Sequence, residues 1–376
     1  MNPDYKKLLK KTIELAKKGK GLVSPNPMVG AVIAKGNKII STGYHKAFGM
    51  PHAEVEAIKS AGERAKNSTL YVNLEPCCHY GKTPPCTEAI ISAGIKEVVC
   101  CMEDPNPVVS GKGFKILEEN GIKVRVGYLE DEATELNLPY ITYITKKRPY
   151  IILKWAQTID GKIATSTGNS KWITEPEARE YLKKKRFEID GILIGVNTVL
   201  KDNPSLDYIQ PSFQTKKNIL ERKRYYKIVL DPYLKTPPDA KLFENEKAKV
   251  LIFVSENISE EKIAPFKTIN NCEIIKAEIF GGKFKMKNLM EILYEKKIGI
   301  IMVEGGEKTL TSFWNEKLAD RVMVFIGNKV LGGEKALVPI AGRDKEKIEE
   351  AVKIEELDIK KIGNNLVIEG KPCFQE

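Results

Sequence analysis

The sequence predicts an α/β protein of two domains, and three observations carry that expectation. The chain has 376 residues, where a domain typically takes roughly 100–200. Short apolar segments alternate with amphipathic ones along both halves, the pattern of strands and helices stacked in layers. Between the two series stands Lys146-Lys147-Arg148-Pro149, a charged run closed by a proline that disfavours helix before it. The expected domains are residues 1–146 and 149–376.

Taken in order, the first element is an N-terminal helix. Leu8, Leu9, Ile13, Leu15 and Ala16 gather toward one face and Gly19 suits a C-cap. Strands follow at Met28–Lys35 and Lys38–Gly43, joined by the hairpin signal Gly36-Asn37. Ala53–Ala61 reads as a helix, Thr69–Asn73 as a strand, and Thr87–Ala93 as a helix closed by Gly94. Lys96–Cys101 is a strand, Phe114–Asn120 a helix ended by Gly121, Ile122–Val126 a strand and Asp131–Lys146 a closing helix. A layered sandwich with a mixed sheet accounts for this series.

The second series opens with a strand at Tyr150–Trp155 and a helix at Pro176–Arg186. Strands are expected at Ile192–Gly195, Lys227–Leu230, Lys249–Val254 and Glu273–Lys276, with residues 204–225 a polar loop. A helix at Lys287–Lys297, a strand at Gly299–Val303, a helix at Lys308–Glu316 and strands at Arg321–Ile326 and Asn365–Glu369 complete it.

Composition narrows the function classes. Hydrophobic residues make up 42%, enough for two ordinary cores. No apolar run approaches the roughly 18 residues a membrane span needs. The N-terminus is basic but lacks the apolar stretch of a secretory signal. The net charge of +11 is thinly spread, which suits small anions such as phosphate better than a nucleic-acid stripe. Neither a nucleic-acid nor a membrane partner is expected. Five of the seven cysteines fall between Cys77 and Cys101. That clustering points to metal binding in a reducing compartment, the cytoplasm, rather than to a disulfide framework.

His52-Ala53-Glu54, Glu75-Pro76-Cys77-Cys78 and Pro84-Pro85-Cys86-Thr87 carry the chemistry. One imidazole and two thiolates form a soft donor set suited to zinc, and three protein ligands leave a fourth position open, as in catalytic sites. Glu54 lies two residues from the histidine on the same helix, placed to exchange protons without being a ligand. The H-x-E…P-C-x-x-C order is that of zinc nucleobase deaminases, though eight residues, not two, separate Cys77 from Cys86. Cys78 competes with Cys77; the template places the ligand directly after proline, which favours Cys77. A zinc-stabilised module without activity is the alternative, against which Glu54 speaks, because a structural site has no use for it.

Ser24-Pro25-Asn26-Pro27-Met28-Val29-Gly30, Pro51-His52-Ala53-Glu54, the stretch Leu74–Thr87, Asp104-Pro105-Asn106-Pro107 and Gly111-Lys112-Gly113 resemble the bifunctional riboflavin biosynthesis deaminase/reductase family. The long spacing between the cysteines is that family's own. The resemblance implies a cytidine-deaminase-like first domain. That domain would hydrolyse an amino group from 2,5-diamino-6-(5-phosphoribosylamino)pyrimidin-4(3H)-one, with zinc on His52, Cys77 and Cys86 and Glu54 as proton shuttle. Asn26, His79, Lys82, Asp104 and Asn106 match positions lining the substrate pocket. Asn26 between two prolines also reads as turn chemistry, and Lys82 as a solvated loop lysine.

In the second half, Lys154–Ala164, Ser170-Lys171-Trp172-Ile173-Thr174, Gly195–Leu206 and Val303-Glu304-Gly305-Gly306 resemble the same family's reductase. The implied fold is dihydrofolate-reductase-like and the implied cofactor NADPH. Ala156, Trp172, Thr198, Asp202, Gly305 and Gly306 match cofactor contacts; Lys154, Ser170, Arg186, Leu206 and Glu304 match substrate contacts. Trp172 also reads as a core aromatic, and Arg186 as a surface charge. After Leu206 the family carries a short segment ending in arginine, whereas this chain reads Asp207-Tyr208-Ile209-Gln210. Lys216 or Lys217 is the candidate for that contact. A polynucleotide-editing deaminase, which would need a basic, aromatic-bearing face, fits this second half poorly. A small phosphorylated pyrimidine is the expected partner, and a homo-oligomer, dimer or tetramer, the expected assembly.

Overall fold

Helix α1 (Pro3–Ala16) buries Leu8, Leu9, Ile13 and Leu15, the stripe its periodicity predicts. The computed structural model describes residues 3–80, 84–210, 217–342 and 344–374, with side chains from Tyr5 onward. The chain divides into two compact units, Met1–Arg148 with Gln214–Lys223, and Pro149–Phe213 with Arg224–Glu376.

In the first unit β1 (Gly30–Lys35) and β2 (Lys38–Tyr44) form a hairpin around Gly36, whose φ of +56° places it in the left-handed region a tight turn needs. Then come α2 (Ala53–Ala61), β3 (Thr69–Val72), α3 (Cys86–Ser92), β4 (Glu97–Cys100), α4 (Lys112–Glu119), β5 (Lys123–Arg125) and α5 (Glu130–Lys146). The sheet runs β2-β1-β3-β4-β5, with β1 antiparallel to both neighbours and β3, β4 and β5 parallel. Both faces are covered. Ala31 and Ile33 of β1 pack with α2, α3 and α4, while Val32 and Ala34 pack with α1 and α5. This two-sided burial explains why β1 reads as a continuous apolar run instead of an alternating one. On β2, a Cβ at Gly43 would lie 2.3 Å from the Ala53 carbonyl oxygen. Only glycine there lets the first turn of α2 sit against the sheet.

The second unit contains β6 (Tyr150–Gln157), α6 (Pro176–Arg186), β7 (Gly191–Gly195), α7 (Val196–Asp202), β8 (Tyr226–Leu230), β9 (Lys249–Ser255) and β10 (Cys272–Ala277). A two-stranded hairpin pairs Ile279–Phe280 with Lys283–Phe284. Helix α8 (Met286–Glu295), β11 (Ile300–Val303), α9 (Glu307–Asn315), β12 (Arg321–Ile326), β13 (Lys353–Ile362) and β14 (Asn365–Cys373) follow. The nine-stranded sheet runs β10-β9-β8-β7-β11-β6-β12-β14-β13. It is parallel through β12 and ends in two antiparallel strands. One core lies under α6 and α7, built on Ile192, Ile194, Val229, Ile252, Met302 and Phe325. The other lies under α8 and α9, built on Leu153, Leu193, Phe253, Leu289, Ile301 and Phe313.

Three of the features that differ from the sequence expectation follow from the local residues. Helix α7 follows β7 without a loop, because Gly195 itself serves as N-cap. Strand β13 was not expected: its side chains are mostly exposed and charged, so no buried stripe marks it, and among the described residues β14 is its only strand neighbour. Within residues 204–225 a single helical turn forms at Lys217–Leu220, and it groups with the first unit.

Candidate active sites

The first site is built at the start of α2. His52 occupies the N-cap position, and Glu54 in the first turn is 3% exposed. His52 Nδ1 lies 3.5 Å from Cys77 Sγ and 3.3 Å from Cys86 Sγ, with all three donor atoms within 4.8 Å of one another. Zinc–sulfur and zinc–nitrogen bonds of about 2.3 and 2.0–2.1 Å around a tetrahedral centre give an N···S edge of about 3.5 Å. The cluster therefore has the dimensions of a zinc site. Cys86 opens α3, and its backbone N–H donates to Cys77 Sγ at 3.4 Å. The neighbouring Cys86 thiol, with His52 beside it, holds the Cys77 thiol down at about 4, while the same sulfur–sulfur contact and burial raise Cys86. A thiolate is thus stabilised in place. Cys78 lies outside the cluster and approaches the Val108 carbonyl at 4.0 Å.

Burial pushes the Glu54 carboxyl up to about 7, against the pull of the His52 ring. Its Oε2 is buried with no hydrogen-bond partner among the described residues. An unpaired buried carboxylate oxygen costs stability unless something it serves occupies the site.

Asn26 Nδ2 lies 3.2 Å from His45 Nε2, and His45 Nδ1 lies 3.1 Å from the Pro51 carbonyl oxygen. The carbonyl fixes the proton on Nδ1, so Nε2 accepts from Asn26. Burial lowers the His45 imidazole to about 4 and keeps it neutral. Asp104 is 5% exposed; its Oδ1 accepts from the Asn106 backbone N–H at 2.9 Å and from Tyr140 Oη at 2.8 Å. Burial pushes the Asp104 carboxyl up to about 6. Asn106 Oδ1 accepts from Val108 N–H at 3.1 Å, closing a turn. His79 is exposed, and Lys82 lies outside the described residues.

Glu75 holds this half of the site together. Its Oε2 accepts from the backbone N–H of Asp104 at 3.1 Å and Gly111 at 3.0 Å, and its Oε1 from Gly113 at 2.9 Å and Phe114 at 3.4 Å. A buried carboxylate at the start of α4 thus ties the loop of Cys77 to the loop of Asp104. Two asparagines clamp the segment after Asn26. Asn137 accepts from Met28 N–H at 2.8 Å and donates to Met28 O at 3.1 Å. Asn73 accepts from Gly30 N–H at 2.8 Å and donates to Met28 O at 2.9 Å.

The second site is a cavity of about 1650 Å³ at the C-terminal ends of β6, β7 and β11. That exceeds the roughly 300–1,000 Å³ of a single small-ligand pocket and leaves room for a dinucleotide beside a second ligand. Ala156, Trp172, Thr198, Asp202, Gly305 and Gly306 all line it, as do Lys154, Ser170, Arg186, Leu206 and Glu304. Arg186 grips Glu304 with two bonds, Nε to Oε1 at 2.9 Å and Nη2 to Oε2 at 3.0 Å, and Lys154 Nζ stands 3.6 Å from Oε2. Each side chain of this trio is 12% exposed, so Arg186 is a buried ion-pair partner and not a surface charge. Burial alone would raise Glu304, but Arg186 and Lys154 outweigh it and hold the carboxyl at about 2. At Gly305 a Cβ would fall 2.5 Å from Thr309 Cβ. Only glycine lets Thr309, in the first turn of α9, pack this closely against the segment that lines the cavity beside the helix N-terminus, a setting that favours phosphate.

Trp172 is 59% exposed, stacked 4.2 Å from the Arg179 guanidinium, and is no core residue. Asp202 pairs with Lys171 at 3.1 Å. In the segment after Leu206, Asp207 Oδ1 pairs with the fully buried Lys227 at 3.0 Å and accepts from Asn245 Nδ2 at 2.9 Å. Lys217 is no part of the cavity lining, and Lys216 lies outside the described residues.

His45, Asn73, Asn137 and Tyr140 escaped the sequence reading. Only Asn137 left a signal there, as an amide among the apolar residues Leu136, Leu138 and Tyr140 of a helix that buries its face.

A family profile described as the cytidine and deoxycytidylate deaminase zinc-binding region matches residues 2–102, and one described as the RibD C-terminal domain matches residues 149–368. The riboflavin biosynthesis protein RibD of Aquifex aeolicus is 46% identical over 364 residues, covering 96% of this chain and 97% of that protein. RibD of Escherichia coli is 33% identical, covering 95% and 96%. Among solved structures, RibD of Acinetobacter baumannii superposes with a TM-score of 0.87 at 32% identity, covering 99% of each chain. The Thermotoga maritima protein described as a diaminohydroxyphosphoribosylaminopyrimidine deaminase/5-amino-6-(5-phosphoribosylamino)uracil reductase superposes with 0.82 at 36% identity, covering 98% and 99%.

Proposed function

The chain belongs to the RibD family of riboflavin biosynthesis proteins, and from that membership we propose how its two units divide the work. It is a bifunctional enzyme, a zinc-dependent deaminase joined to an NADPH-dependent reductase. In our reading the first unit removes an amino group from 2,5-diamino-6-(5-phosphoribosylamino)pyrimidin-4(3H)-one. The second then reduces the ribosyl group of the deaminated product to ribityl. The observation that carries the reading is Glu54, a buried carboxylate with an unpaired oxygen beside three zinc-type donors.

His52, Cys77 and Cys86 hold the metal. Zinc, when bound, supplies the Lewis acidity that makes water a nucleophile near neutral pH. Glu54 takes one proton from the attacking water to the ring nitrogen, then carries the second, from the new hydroxyl, to the amine, so that ammonia leaves as the ring carbonyl forms. Asn26 and Asp104 orient the pyrimidine edge, Asn106 shapes the turn beside it, and His79 and Lys82 meet the phosphate. NADPH, when bound in the second unit, would supply the hydride that reduces C1′ of the opened sugar, while the adjoining nitrogen takes a proton from solvent. Gly305 and Gly306 let the cofactor approach the chain's own backbone, with Ala156, Trp172, Thr198 and Asp202 around it. Lys154, Ser170, Arg186, Leu206 and Glu304 position the substrate.

Supplying the diaminopyrimidine phosphate together with NADPH tests both halves. Ammonia release and NADPH loss are both expected, in that order. Ammonia without NADPH consumption would overturn the second half of the reading, and the reverse would overturn the first. Metal analysis tests the ligand set: about one zinc per chain in the native protein, little in Cys86→Ser, and full occupancy in Cys78→Ser. Loss of metal from Cys78→Ser would make Cys78 the ligand.

We further infer a homo-oligomer formed through the antiparallel end of the large sheet. Leu357, Ile359 and Leu366 are 56%, 59% and 41% exposed there, on strands where Ile359 faces Ile368. Along β13, Glu355, Glu356 and Asp358 precede Lys360 and Lys361, so an antiparallel second copy sets acids against lysines. The expected result by light scattering is a multiple of 42.2 kDa for the native chain, and a single-chain mass for Leu357→Glu/Ile359→Glu. A native mass of one chain would remove the inference. The thiol ligands support the cytoplasm as location.

A further inference from the structure

We propose that Tyr140 is a positioning residue for the deaminase, aiming Asp104 at the pyrimidine by occupying the oxygen that must not face it. The proposal rests on the reading of Asp104 as a substrate contact. Tyr140 lies on α5, one turn beyond Asn137, on a helix that carries none of the zinc donors. Its hydroxyl donates to Asp104 Oδ1 at 2.8 Å, and the Asn106 backbone N–H donates to the same oxygen at 2.9 Å. Oδ2 has no partner among the described residues. Two donors on one oxygen fix the carboxylate plane and leave Oδ2 as the free acceptor. A diaminopyrimidine presents amino and ring N–H donors, the groups such an acceptor recognises.

The phenol is a donor here and not an acceptor. Burial, with the Asp104 carboxylate next to it, raises Tyr140 above its ordinary value, so it keeps its proton. The geometry is also stiff. Asp104 is anchored through its own N–H to Glu75 at 3.1 Å, and α5 is anchored by Asn137 to Met28. Rotation of the Asp104 side chain is therefore the freedom that remains, and the Tyr140 hydroxyl removes it. The same helix thus anchors two segments that carry proposed substrate contacts: Asn137 the stretch after Asn26, and Tyr140 the Asp104 side chain.

Tyr140→Phe deletes one oxygen and preserves the ring. The expected result is a rise of about tenfold in KM for the diaminopyrimidine phosphate, the scale of a lost hydrogen bond to a charged group, with kcat changed less than about twofold. Zinc content and NADPH oxidation on the deaminated substrate stay at native values. These two readouts report a folded chain. The decisive comparison is a cycle with Asp104→Asn. If Tyr140 acts through Asp104, the Phe change adds little in the Asn background. If the two effects multiply, or if kcat falls while KM holds, the proposal is overturned. If Asp104→Asn alone leaves KM unchanged, the reading of Asp104 as a substrate contact fails instead. Unchanged KM in Tyr140→Phe beside a raised KM in Asp104→Asn overturns the positioning role and leaves that reading intact.

Discussion

With glutamine at position 54, ammonia release falls by roughly 10²–10⁴-fold, the usual contribution of a placed acid–base group, while the protein keeps its zinc and its fold. The amide has the size of the acid and fits the same cavity, but it cannot take a proton from water and hand it on. Glu54 is 3% exposed, so bulk buffer cannot substitute for it. The fold has reason to tolerate the change. A neutral amide in place of a carboxylate with an unpaired Oε2 relieves a desolvated charge, and the melting temperature should hold or rise. Reduction of the deaminated substrate stays at its native rate, because its residues lie in the other unit. Ammonia release within tenfold of the native rate would remove Glu54 from the mechanism.

The second large effect is expected at Glu304. Glu304→Gln strips Arg186 and Lys154 of the carboxylate they share, leaving two neighbouring cations at 12% exposure. Breaking a buried pair by removing one partner costs about 3–5 kcal/mol, which denaturant titration of the second unit would read directly. The pH dependence has a definite sign. Glu304 is held near 2 in the folded protein against about 4.3 in an unfolded chain. Its stabilisation is therefore complete above the unfolded value and disappears as pH falls through the folded one. The gap between native and variant stability should stay level from pH 5 to 8 and close below about pH 4. A gap under about 1 kcal/mol at neutral pH would mean that Arg186 and Lys154 are not held as buried cations dependent on Glu304, and would overturn the expectation.

The parts legible in the sequence share a physical cause. Strands β1, β3 and β4 of the first unit and most of the second unit's strands are buried on both faces, and their apolar runs announce them; the zinc donors sit in a fixed order around proline-bounded turns. Strand β13 was illegible because an exposed edge strand of Lys, Glu and Asp has no stripe to betray it. Tyr140 and His45 were illegible for a different reason. Each acts on a residue far away in sequence, Asp104 across 36 positions and Asn26 across 19, and no local period encodes such a contact. Glu304 stood in view as part of a glycine turn, but its two-cation cage needs β6 and α6 brought together by the sheet. The family's arginine position after Leu206 shows the reverse case. The sequence announced a departure, and the structure gives its local use, Asp207 as partner to a lysine with no exposure at all.

The four backbone donors gathered on Glu75 bear on how the enzyme acquires its metal. They fasten the Cys77 loop to the start of α4 through protein groups alone. Zinc binding then has little chain to order, in contrast to small metal-nucleated domains that unfold when stripped. Loading becomes a reversible exchange on a finished scaffold. A chelator should extract the metal and silence ammonia release while the circular dichroism spectrum stays unchanged, and added zinc should restore the activity without refolding. In a cell, such an apoenzyme can wait for scarce metal without being recognised as misfolded, and its output can follow zinc supply.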